Sequence, residues 1–93
     1  MNIAQIQKTI LPVLKQHHVL RASIFGSFVR GEQKPDSDID ILVQLSPSTT
    51  LFGMAHLCNH LEEVLHRKVD LIQYDFIKLA IKENILKEKV DIL

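Results

Sequence analysis

A small α+β fold built on a mixed sheet is what this 93-residue chain predicts, and three observations carry the prediction. Three short runs are β-branched and apolar: Val19 to Phe25, Ser37 to Leu45 and Val69 to Gln73. Around and between them, apolar residues recur at helical spacing. The links differ in length. About ten residues, 27–36, join the first two runs, which suits antiparallel neighbours. Some two dozen residues with a helical pattern join the second and third, as a parallel crossover requires. The order is α-β-turn-β-α-β-α in a single domain, 1–93.

Ile3, Ile6, Ile10, Val13 and Leu14 predict an amphipathic helix over about residues 2 to 17, which Pro12 kinks or divides in two. Gly26-Ser27 ends the first strand, and Phe28 to Gly31 forms a single helical turn. Gln33-Lys34-Pro35-Asp36 is a turn by composition, and the strand after it directs Ile39, Ile41 and Val43 to the core. Ser46 to Thr50 reads as a loop ending in a helix N-cap, and Leu51 to His66 as the crossover helix. Asp75 is expected to cap a last helix, whose Ile77, Ala80, Ile81, Ile85 and Leu86 form an apolar stripe. That stripe suits core packing or, alternatively, a dimer or partner interface. Val90, Ile92 and Leu93 close the chain.

Composition narrows the classes of function. Lys plus Arg and Asp plus Glu number 11 each, and a neutral chain lacks the basic footprint of a strong direct nucleic-acid binder or autonomous polymerase. A domain of this size buries roughly 60–65% of its unfolded surface, so its stability is modest or shared with a partner. The one cysteine, Cys58, excludes an internal disulfide, no signal peptide is evident, and no apolar run approaches the roughly 18–20 residues that cross a bilayer. A cytoplasmic protein without a membrane partner is expected. His56 and His60 have the spacing of a zinc-binding pair, but no Glu follows His56 and Cys58 faces elsewhere, so no zinc site is assigned. His17 and His18 end a helix, where positive charge complements the dipole.

The chemistry concentrates in Gly26-Ser27-Phe28-Val29-Arg30-Gly31 and, six residues later, Asp38-Ile39-Asp40. A Gly-Ser turn leaving a strand offers backbone N–H groups and a hydroxyl to phosphate oxygens, and Ser27 can cap the following helical turn as well. Residues i and i+2 of a strand share a face, so Asp38 and Asp40 aim together. Such paired carboxylates repel unless a cation such as Mg²⁺ bridges them to substrate phosphates. Asp70, near the start of the third run as Asp38 and Asp40 are near the start of theirs, converges with them and with Ser27 on one edge of the sheet. An isolated Asp-x-Asp is usually solvated surface, but the turn at the right distance and the third acid outweigh that reading. Arg30 either grips a phosphate or pairs with an aspartate to hold the loop.

Gly-Ser, ten residues, Asp-x-Asp and a later lone Asp on an apolar strand resemble the nucleotidyltransferase signature of the DNA polymerase beta superfamily. Gly26-Ser27-x-x-Arg30-Gly31-Glu32, the strand Ser37 to Val43 and the short chain are similar to its minimal nucleotidyltransferases, over essentially the whole length. Phe28 stands where related sequences often carry a basic or another aromatic residue. The resemblance implies the nucleotidyltransferase fold, with Asp38, Asp40 and Asp70 holding two Mg²⁺ ions and Gly26, Ser27 and Arg30 binding the phosphates of ATP or another nucleoside triphosphate. Asp70 is then the candidate base. Many members are antitoxins paired with a helical HEPN-type toxin, and some transfer AMP to a toxin tyrosine. That role is the expectation here, with homodimerisation possible. A binding-only antitoxin and a transferase acting on a small molecule or an RNA end are the alternatives.

Overall fold

The computed structural model describes residues 1–93. Helix α1 (Ile3–Gln16) opens with a reciprocal cap: Asn2 Oδ1 accepts the Gln5 N–H, and Gln5 Oε1 accepts the Asn2 N–H. Pro12 neither divides nor ends the helix. A proline inside a helix costs about 3 kcal/mol. Each of the buried Ile6, Ile10, Val13 and Leu14, on both sides of it, contributes about 1.5–3 kcal/mol. Packing wins, and the proline ring sits on the exposed face.

The other elements are β1 (Arg21–Phe25), α2 (Ser27–Arg30), β2 (Ile39–Gln44), α3 (Leu51–Leu65), β3 (Val69–Gln73), a 3-10 turn (Tyr74–Phe76), α4 (Leu79–Glu88) and β4 (Val90–Asp91). Thr50 caps α3 through its side chain, and His66 ends it in the left-handed region. Strand β1 pairs antiparallel with β2, and β2 parallel with β3, as the link lengths demand. The sequence reading missed β4. It joins the free edge of β1, giving the order β3-β2-β1-β4. Two residues are too short to register as a strand pattern; backbone bonds between Ala22 and both Ile92 and Leu93 hold the edge together.

Alternation along the strands sorts the two faces. Ala22 and Ile24 of β1 and Ile39, Ile41 and Val43 of β2 meet α1 and α3 in the main core. Phe25 and Leu42 point the other way, into a smaller cluster with Tyr74 and Ile85 of α4. Ser23, fully buried, bonds both the Tyr74 hydroxyl and the Asp91 carboxylate, tying β1 to the 3-10 turn and to β4. Tyr74→Phe is expected to lower stability by about 1 kcal/mol, read as a reduced denaturation midpoint at unchanged slope.

Two expectations about the end of the chain are corrected. Asp75 lies in the 3-10 turn and caps nothing; α4 starts at Leu79 with no side-chain cap. Its stripe is also mostly uncovered: Ile85 is buried and Ile77 half-buried, but Ala80, Ile81 and Leu86 are exposed. The reason is that the sheet face beneath is small, so one turn of α4 suffices to cover Phe25 and Leu42. No helix is long and apolar enough to cross a membrane.

Candidate active site

Three neighbouring strands bring the marked residues to one end of the sheet. Phe25, the last residue of β1, stands opposite Asp40 of β2, and Asp40 stands beside Asp70 of β3. Asp40 shares a sheet face with Leu42, the face that α4 covers. Asp38 precedes β2 rather than lying within it, and is exposed. Its loop is pinned by a residue that the sequence reading did not mark: Arg67 Nη1 donates to the carbonyls of Pro35 (2.9 Å) and Ser37 (3.2 Å). The same guanidinium lies over the buried Phe28 ring, 5.4 Å from its centre. Arg67 and Phe28 therefore fix the approach to Asp38, a role that only the tertiary contacts reveal.

The Gly-Ser turn rests directly on the second aspartate. Gly26 has φ 79° and ψ −150°, and a Cβ there would lie 2.1 Å from Asp40 Oδ2. Glycine is thus required twice, for its backbone angles and for the missing side chain. Gly26, not Ser27, is the N-cap of α2, so the expected capping role for the Ser27 hydroxyl is corrected; Ser27 is the first helical residue and half-buried.

Burial, then the charges of Asp70 and Asp38, raise the pKa of Asp40 from 3.8 to about 6, with Arg30 opposing the rise and Glu88 adding to it. Asp40 is thus close enough to both Asp70 and Asp38 to feel their charge. No group of three or more His, Cys, Asp or Glu side chains stands ready-made to hold a metal ion. The carboxylates nonetheless fit Mg²⁺, which takes one or two protein carboxylates and completes its shell with substrate phosphates and water. Its charge would relieve the repulsion that lifts Asp40.

Arg30 does not pair with an aspartate. It bonds Glu32 (3.1 Å) and Glu88 at the end of α4 (3.2 Å), which hold its pKa above the ordinary guanidinium value. Glu88 Oε1 also accepts the Gly26 N–H at 2.9 Å. Gly26, Arg30, Asp40, Asn84 and Glu88 line an open cleft of about 570 Å³ between α4 and the sheet.

His17 departs from expectation too. It turns onto α3, its Nε2 3.1 Å from His60 Nδ1 and its ring 5.1 Å from that of His56. Burial and the neighbouring imidazoles lower its pKa, which works against the positive helix-end charge expected.

The family described as Polymerase beta, Nucleotidyltransferase matches residues 8–93. The chain belongs to that family. It is 48% identical over 93 residues to the "Putative protein adenylyltransferase MJ0435" of Methanocaldococcus jannaschii, covering all of both chains. Protein adenylyltransferase MntA of Thermococcus cleftensis is 40% identical over 72 residues, 77% of this chain and 73% of that one. Among solved structures, a "putative minimal nucleotidyltransferase" superposes with a TM-score of 0.82 at 30% identity, covering 97% of this chain and 95% of the other. An MNT antitoxin in complex with a tri-AMPylated HEPN toxin of Shewanella oneidensis gives 0.74 at 17% identity, covering 97% and 71%, a likeness of fold. The nucleotidyltransferase fold expected from the sequence is therefore the fold found.

Proposed function

We propose that this nucleotidyltransferase is a Mg²⁺-dependent protein adenylyltransferase that moves AMP from ATP to a tyrosine hydroxyl of a HEPN-type toxin, and so acts as its antitoxin. The observation that carries the reading is the stacking of Gly26 on Asp40, with Asp70 in register beside it and Asp38 at the entrance of the same strand. The Gly-Ser turn and three carboxylates thus share one strand-end edge. The relatives named protein adenylyltransferases and the toxin complex of like fold support a protein acceptor.

Asp38, Asp40 and Asp70 would hold two Mg²⁺ ions. Bound there, the ions would neutralise triphosphate charge and lower the pKa of the attacking hydroxyl. Gly26 and Ser27 cradle the β- and γ-phosphates, and Arg30 adds charge to them. Asp70, exposed at the edge, takes the acceptor proton as the hydroxyl oxygen bonds the α-phosphorus and pyrophosphate leaves. A tyrosine suits this chemistry because its unperturbed pKa of about 10 lies far below that of an aliphatic alcohol. The chain contributes positioning and charge, which a domain of 93 residues can supply.

The test is to coexpress a candidate HEPN-type partner with wild type or with the Asp38→Asn/Asp40→Asn double variant and to compare intact partner masses. AMP adducts on the partner with wild type alone are expected. An unmodified partner that both forms inhibit equally would replace this reading with a binding-only antitoxin.

A further inference from the structure

Glu88 has no place in the chemistry above, yet it makes three contacts with the groups assigned to phosphate. One carboxylate oxygen accepts the Gly26 N–H at 2.9 Å, and both oxygens lie 3.2 Å from Arg30 Nη1. A carboxylate bonded by a backbone amide and a guanidinium reproduces how a phosphate oxygen pair is gripped. We infer that Glu88 is an internal competitor for the triphosphate: in the free protein its carboxylate fills the anion position made by Gly26 and Arg30, and the nucleotide must displace it. The inference rests on the proposed nucleotide site and adds a self-occupied resting state to it.

The fold makes the displacement cheap and local. Val90 and Asp91, one residue beyond α4, are paired on β1, so the helix end is pinned and the Glu88 side chain has to swing by itself. It is a quarter exposed and Arg30 nearly half exposed, so both have a solvated path apart. Ile85, one turn earlier, stays buried in the small cluster throughout. The consequences of the swing all favour nucleotide. It frees the Gly26 amide and the Arg30 guanidinium together, the two donors that the phosphate needs. An unliganded site closed on its own carboxylate also has less hold on free phosphate, which offers fewer further contacts than a triphosphate does.

Calorimetric titration of Mg–ATP into the full chain tests this, with Glu88→Ala against Glu32→Ala. Glu32 pairs with the same guanidinium at 3.1 Å but does not touch Gly26, so its variant removes the same charge without opening the amide. If nine molecules in ten rest closed, Glu88→Ala binds roughly tenfold tighter than wild type, because apparent affinity scales with the open fraction. Glu32→Ala should shift affinity much less, and the Gly26 amide should lose hydrogen-exchange protection in Glu88→Ala alone. Equal tightening by both variants would mean a general charge effect and overturn the inference, and so would weaker binding by Glu88→Ala, which would make Glu88 a support for Arg30. Wild type that binds as tightly as Glu88→Ala overturns the inference alone. Failure of all three proteins to bind Mg–ATP overturns the nucleotide site and the inference with it.

Discussion

Asp40→Asn is expected to abolish AMP transfer, by roughly 10³-fold or more, while making the metal-free protein more stable. The loss follows from removing the central carboxylate of the proposed metal site, since metal ions supply several kcal/mol of transition-state stabilisation. The gain follows from the raised pKa. Burial, with Asp70 and Asp38 close by, lifts Asp40 from 3.8 to about 6, so ionised Asp40 opposes folding at neutral pH. That gap corresponds to about 3 kcal/mol at full burial, of which the half-exposed carboxylate retains about 1–2 after solvent screening. For a domain of this size the melting temperature should rise by roughly 5–10 °C.

The sign of the pH dependence is fixed by the same shift. Between about pH 4 and 6 the folded carboxyl holds a proton that the unfolded one has released, so Asp40 disfavours folding less as pH falls through 6. The variant's thermal advantage should be largest near neutrality and fade toward pH 4. Wild-type transfer activity should fall over the same acidic range, because a protonated Asp40 cannot hold a cation. Melts of both proteins across that range provide the measurement. A constant stability difference, or a variant that still transfers AMP, would remove Asp40 from the role assigned to it.

What the sequence disclosed and what it hid divide along physical lines. Sheet pairing was legible because link length and strand alternation are local properties: the ten residues between Ser27 and Asp38, and the helix between Leu45 and Val69, leave few ways to connect three strands. The convergence of Gly26, Asp40 and Asp70 followed from those pairings. Asp38, at the start of a strand, was legible in kind but not in place, since the turn bonds of Lys34 and Ser37 delay β2 until Ile39. Arg67 and Glu88 were not legible at all. Each is a charged residue at a helix end, for which solvation is the ordinary expectation, and only the fold sets one against Pro35 and Ser37 and the other against Gly26. The fate of α4 was hidden for a related reason: periodicity marks an apolar stripe, but the area of sheet left to cover decides how much of it is buried.

Gly26→Ala is expected to destabilise the protein by more than 2 kcal/mol and to remove transfer activity, although alanine adds only a methyl group. Two costs coincide. The backbone at φ 79° and ψ −150° belongs to a region that is essentially reserved for glycine, at about 1–3 kcal/mol for another residue. The new methyl would also lie 2.1 Å from Asp40 Oδ2, far inside contact distance, and must push away either the turn or the carboxylate. Gly31→Ala separates the two costs, because Gly31 has φ 72° with nothing within 4 Å of its would-be Cβ. That variant should lose about 1 kcal/mol and keep its activity. A double-mutant cycle isolates the collision: Asp40→Ala removes the struck atoms, so the pair of substitutions should destabilise less than the sum of the two single effects, a coupling of about 1 kcal/mol or more. Strict additivity in thermal and denaturant melts would mean that the turn does not rest on Asp40 in solution, and transfer at the wild-type rate by Gly26→Ala would detach that close approach from function.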